Sequence, residues 1–108
     1  MDLTQKKCVA CEGDAVPLNK ADTMAMLKHV SGWAPAEDGR SILKQFKFHD
    51  FVQAMEFANK VAPIAEREGH HPDLHISWGK VVVELSTHAI KGLSENDFIL
   101  AAKIDQAH

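Results

Sequence analysis

Leu74-His75-Ile76-Ser77-Trp78-Gly79-Lys80-Val81-Val82-Val83-Glu84-Leu85-Ser86-Thr87-His88 is the stretch whose reading decides the fold. Leu74 to Trp78 and Lys80 to His88 read as two strands joined by a tight turn around Gly79, where β-prone residues flank a turn-permitting glycine. Successive side chains of a strand alternate, so Val81, Val83, Leu85 and Thr87 share one face, and Val82, Glu84, Ser86 and His88 the other. The first face is apolar and has to be covered by other elements.

Those elements lie on both sides of the hairpin. Asp50 opens the clearest helix, with Gln53 at the capping-box distance. Phe51, Met55, Ala58, Ala62 and Ala65 form its apolar stripe, widened by Ala54 and Val61. Pro63 should kink it or remove one hydrogen bond, Gly69 marks its end, and Pro72 prevents its resumption. Further upstream, Ile42, Phe46 and Phe48 alternate with Leu43, Gln45 and Lys47 as a strand, preceded by a short strand at Trp33-Ala34-Pro35 and a turn at Asp38-Gly39. Asn19 caps a first helix carrying Met24, Leu27 and Val30, which Gly32 stops. Downstream, Gly92 breaks the chain and Ser94 caps a last helix, with Asp97 at N3 and Phe98, Ala101, Ala102 and Asp105 continuing it.

The order α-β-β-α-β-β-α predicts an α+β fold, an antiparallel sheet of four strands with helices on one face. It occupies one domain over residues 19–108, after an N-terminal arm (residues 1–18) that carries Gly13, Pro17 and the pair Cys8-Val9-Ala10-Cys11. The uncovered sheet face, with Val82 on it, is partly apolar and makes self-association a reasonable expectation.

The 108 residues suffice for a real core without disulfide or metal staples. With 45% hydrophobic and 25% charged residues the chain is ordinary globular material, and its formal net charge of -3 gives no reason to bind nucleic acid or an anionic membrane. No apolar run approaches a membrane span, and Met1 to Lys7 lack the apolar region of a secretory signal, so a cytoplasmic address is expected.

Seven histidines are the compositional oddity. His70 and His71 sit at a helix exit between Gly69 and Pro72. With residue 75 pairing roughly with residue 83, His88 falls at the same end of the sheet, so three imidazoles converge on one mouth. Imidazole both gives and takes protons near neutrality, which suits general acid–base chemistry. The alternatives are solvated loop histidines without a task, or a metal site. Adjacent histidines point apart, and no carboxylate or cysteine has metal-site spacing with them, which disfavours metal. The CxxC pair has no second pair and no βαβ context, and reads as incidental thiols on a flexible arm before it reads as a metal ligand. Trp33 and Trp78 are core by default, although Trp78 at the hairpin turn could stack on a flat ligand. Glu66 could orient an imidazole, and so could Asp97, whose first role is the helix cap.

Glu66-Arg67-Glu68-Gly69-His70-His71-Pro72-Asp73, Trp78-Gly79-Lys80-Val81, Ser86-Thr87-His88 and Gly92-Leu93-Ser94-Glu95-Asn96-Asp97-Phe98 follow in an order and spacing that resembles the pterin-4a-carbinolamine dehydratases. The resemblance covers about residues 19–106, and the arm with its CxxC pair looks like a bacterial-type version. It implies a four-stranded antiparallel sheet with three helices on one face, and a homodimer or homotetramer. The implied reaction is dehydration of 4a-hydroxytetrahydropterin to quinonoid dihydropterin, without metal or cofactor, which regenerates the pterin used in aromatic amino acid hydroxylation. By the same resemblance the catalytic residues are His70, His71 and His88, with His70 and His88 in acid–base work and His71 contacting substrate. Glu66, Trp78 and Asp97 are the expected substrate-binding residues. The resemblance assigns nothing to His75, Cys8 or Cys11. A regulatory or dimerisation module on the same fold, binding without catalysis, is the competing expectation, and a metal-binding structural protein using the histidines with Cys8 and Cys11 is another.

Overall fold

In the computed structural model, which describes residues 2–9 and 16–108, Val81, Val83 and Leu85 are fully buried, and the alternation of the hairpin is realised. Strands β3 (Asp73–Ser77) and β4 (Lys80–Leu85) pair antiparallel from Asp73↔Glu84 to Ser77↔Lys80. Gly79 supplies the positive φ of the two-residue turn, +72°, and its carbonyl accepts from the Phe48 N–H at 2.8 Å. The turn is thereby tied to the end of β2 (Ile42–Lys47), which pairs with β4 along its whole length. The short β1 (Ala34–Pro35) borders β2, giving the order β1-β2-β4-β3 with every neighbouring pair antiparallel.

Three helices cover one face. They are α1 (Lys20–Leu27), α2 (Phe51–Glu68) and α3 (Glu95–Ala107), opened by Asn19, Asp50 and Ser94, whose side chains accept from the backbone N–H groups of Asp22, Gln53 and Asn96. Between sheet and helices lie Ile42, Phe46, Val81, Val83 and Leu85 on one side, with Phe57, Val61, Phe98, Leu100 and Ile104 on the other. Burying a side chain of this size is worth about 1.5–3 kcal/mol, so these contacts outweigh helix propensity in fixing the layers.

Three expectations change. The buried face of α2 is Ala54, Phe57, Ala58, Val61 and Ala65, whereas Phe51, Met55 and Ala62 are exposed. Phe57 sets this rotation by packing on Phe46 and Phe48, with ring centroids 4.6 and 5.2 Å away. Pro63 lies inside α2 and, as expected, leaves one backbone hydrogen bond unmade there, while the helix runs on to a left-handed Gly69 with φ +65°. Finally, β4 ends at Leu85 and His88 starts a 3-10 turn (His88–Ile90) instead of closing the strand. Thr87 and Gly92 exchange backbone hydrogen bonds around that turn, which pulls the chain out of the sheet. The register is also one residue from expectation, His75 facing Val82.

The described part of the N-terminal segment does not trail free. Leu3 is buried in the core, and Cys8 and Val9 bond to α2 and α3. The CxxC reading cannot be followed to its second thiol, because Cys11 lies outside the described residues. No helix is long and apolar enough to cross a membrane among the described residues.

Candidate active site

The left-handed Gly69 ends α2 abruptly, its N–H and that of His70 both bonding back to the Ala65 carbonyl. His70 and His71 therefore leave the helix at once, and Pro72 leads into β3. The departing end of β4 runs alongside and delivers Ser86, Thr87 and His88. The first turn of α3 closes the third side. Together these segments enclose a cleft of about 330 Å³ lined by His70, His71, Asp73, Ser86, His88 and Asn96, among others. That is the size range of small-molecule sites.

His70 is the most firmly held of the three imidazoles. Its Nε2 lies 2.6 Å from Oδ1 of Asp97, whose side chain has no solvent exposure. The other carboxylate oxygen accepts from the Thr87 hydroxyl at 2.8 Å and from the Ser94 N–H at 3.0 Å. A carboxylate only accepts, so Thr87 must donate to it, and the Ser94 hydroxyl, 2.7 Å from Thr87 Oγ1, must donate to Thr87. Every lone pair so engaged is met by a donor, and the first turn of α3 adds its partial positive charge. With Asp97 as carboxylate, the neutral His70 ring carries its hydrogen on Nε2 and keeps the lone pair on Nδ1. Asp97 thus closes the capping box of α3 and also fixes an imidazole.

His71 takes a different partner, pairing with Glu66 at 2.5 Å, both side chains being well exposed. His88 is exposed too, with Nε2 4.0 Å from Asp73 Oδ2. The arrangement offers one partly buried, oriented imidazole and two solvent-facing ones, each of the three with a carboxylate nearby. Groups of that kind can accept a proton at one point of a ligand and deliver one at another.

The cleft brings together His70, His71 and His88, with Asp97 behind the first and Glu66 beside the second. It does not bring in Trp78. That residue is 74% exposed at the hairpin turn, five residues along β3 from Asp73 and so roughly 16 Å from the cleft end. Trp33 is core and donates its indole N–H to Asp105. Thr87, Asp73, Asn96 and Val9 were not singled out as site residues. The signal for Thr87 was its position, a hydroxyl in register with the inward Val81, Val83 and Leu85. Among the described residues no group of three His, Cys, Asp or Glu side chains is disposed to hold a metal ion.

The Cys8 thiol is pushed up to about 12, first by burial and next by the Glu68 carboxylate. Glu68 itself is held below the ordinary carboxylate range, chiefly by its hydrogen bond from Lys103 and then by the Cys8 N–H. Cys8 is therefore protonated at neutral pH, and it lacks the thiolate a nucleophile needs.

The family model described as "Pterin 4 alpha carbinolamine dehydratase" matches residues 16–107. A Rickettsia bellii protein named "Putative pterin-4-alpha-carbinolamine dehydratase" is 53% identical over 104 residues, covering 95% of this chain and 91% of the relative. A Halorhodospira halophila protein of the same name is 46% identical, covering 97% and 96%. Among solved structures, a transcriptional coactivator/pterin dehydratase from Brucella melitensis superposes with a TM-score of 0.79 at 31% identity, covering 84% of this chain and 97% of that one. A pterin dehydratase-like RuBisCO assembly factor of the alpha-carboxysome shares the fold, with a TM-score of 0.61 at 23% identity, covering 70% and 88%.

Proposed function

This chain belongs to the pterin 4 alpha carbinolamine dehydratase family, and on that premise we propose that it removes water from a 4a-hydroxytetrahydropterin by histidine acid–base catalysis. The observation that carries the reading is the His70–Asp97 pair at the wall of a cleft shared with His71 and His88. The reaction breaks the C4a–O bond, and the electron pair of the neighbouring ring nitrogen forms the new C=N bond. One proton must reach the departing hydroxyl so that it leaves as water, and one must leave the ring nitrogen.

His70, its tautomer set by Asp97, is suited to take the ring-nitrogen proton on Nδ1. His88, exposed with its Nε2 4.0 Å from Asp73 Oδ2, is assigned to protonate the hydroxyl. His71, paired with Glu66 at the rim, is assigned to substrate contact. No metal is called for in this scheme. The physiological role that follows is recycling of the tetrahydropterin used in aromatic amino acid hydroxylation.

The test is dehydration of synthetic 4a-hydroxytetrahydropterin in metal-free buffer by the wild type, His70→Ala and His88→Ala. Each substitution should cost about 10²–10⁴-fold if its imidazole moves a proton. A wild type no faster than buffer would leave the fold as a binding module and end the dehydratase reading.

A further inference from the structure

We propose that the N-terminal segment forms a fixed wall of the histidine cleft and that Val9 binds the substrate, clasped in position by Asn96 and Glu68. The substrate role rests on the pterin reading above. Asn96 is buried, and its side-chain amide meets both backbone groups of one residue. Its Nδ2 donates to the Val9 carbonyl at 2.6 Å, and its Oδ1 accepts from the Val9 N–H at 3.0 Å. This is the pairing that a neighbouring strand would supply. One residue earlier, the Cys8 N–H donates to Glu68 Oε1 at 3.0 Å, while Lys103 donates to Oε2 at 2.8 Å. The Glu68 side chain is only 3% exposed, and the Cys8 thiol donates to the Asn96 carbonyl at 3.5 Å. Leu3 in the core and the Lys6–Glu95 ion pair fix the segment further back.

A peptide that merely trailed from the domain would leave its amides to water. Here a buried amide and a buried carboxylate are committed to two consecutive residues, and the consequence is the placement of one apolar side chain. Val9 is 71% exposed, so it fills no core, yet it lines the cleft together with a mostly polar set of groups. A flat heterocycle needs polar partners at its edges and apolar ones on its faces. The clasp is also referenced to the catalytic pair. Asn96 immediately precedes Asp97, and Glu68 stands two residues before His70, so the wall and the His70–Asp97 pair are set by the same two backbone segments.

The experiment measures KM and kcat for the full chain and for Val9→Ala, Val9→Asp, Val9→Ile and Asn96→Ala, with Kd for a non-reacting 7,8-dihydropterin as a second readout. Val9→Ala should raise KM and Kd about 3–10-fold with a smaller effect on kcat, as loss of two methyl groups from an apolar contact allows. Val9→Asp should raise them more, and Val9→Ile should restore them. In a Cys11→Ser background, Asn96→Ala should let Cys8 react with maleimide roughly tenfold faster, because the segment is then released. An active wild type whose Val9→Ala and Val9→Asp variants fold and keep its KM and Kd would overturn the wall proposal and leave the dehydratase reading intact. A wild type that neither turns over the carbinolamine nor binds the dihydropterin overturns both.

Discussion

The Nε2 of His70 lies 2.6 Å from Oδ1 of Asp97, a carboxylate shut off from solvent and supported by Thr87 and Ser94. Replacing Asp97 with Asn keeps the shape and removes the group that holds the hydrogen on Nε2. The amide that replaces it presents either an oxygen or an NH₂ to His70, and the NH₂ orientation forces the opposite tautomer. Steady-state kinetics of Asp97→Asn should show kcat falling about 10²–10⁴-fold with the substrate still bound. A kcat within tenfold of wild type would mean that His70 does not depend on its partner.

Thr87→Val tests the support behind that pair. The substitution conserves volume and deletes the hydroxyl that donates to Asp97 Oδ2 and accepts from Ser94. Leaving a buried acceptor short of a donor costs about 1–3 kcal/mol, which urea denaturation should read as a lower midpoint at unchanged slope. Catalysis should fall by only about tenfold, since Ser94 N–H still holds the carboxylate.

Much of this was legible before the structure. The alternation of Val81, Val83, Leu85 and Thr87 gave the sheet its buried face, and the caps at Asn19, Asp50 and Ser94 gave the helix starts, because both signals are local. The rotation of α2 was not legible, since Phe57 competes with Phe51 and Met55 and only the distant Phe46 and Phe48 decide between them. Nor was the turn at His88, because strand-like residues continue to Thr87 and the Thr87–Gly92 bridge that ends the strand is not a propensity. Asp97 shows the division most clearly. Its cap role follows from standing three residues after Ser94, whereas its hold on His70 needs the end of α2 to meet the start of α3. Residues 2–9 were read as part of a flexible arm, because the buried Glu68 and Asn96 that fasten them are about 60 and 87 positions away in sequence.

The His71–Glu66 pair should behave quite differently from His70–Asp97. Both partners are exposed, and exposed ion pairs are worth about 0–1 kcal/mol. Glu66→Gln and His71→Ala should therefore leave the urea midpoint almost unmoved. His71→Ala should act mainly on KM, with a kcat loss well below that of His70→Ala. Equal kcat losses in the two histidine variants would instead place His71 in the proton transfers.

Glu68 and Cys8 make opposite pH predictions from one contact. The Glu68 carboxyl is lowered from 4.5, first by the Lys103 hydrogen bond and then by the Cys8 N–H, so the unfolded chain holds this proton more tightly than the folded one. Its stabilisation is present above the unfolded value and is lost as pH falls through the folded one. The Cys8 thiol is raised from 9.0 to about 12, first by burial and next by Glu68, so its stabilisation is present below pH 9.0 and fades toward pH 12. Urea midpoints measured from pH 3 to 7 should rise with pH for the wild type. Glu68→Gln should be less stable at pH 7 and show a shallower rise. At pH 8 in a Cys11→Ser background, iodoacetamide should modify Cys8 far more slowly in the folded protein than in urea. Equal rates would mean that the thiol is neither covered nor raised, and that the segment carrying Val9 is not held against α2 and α3.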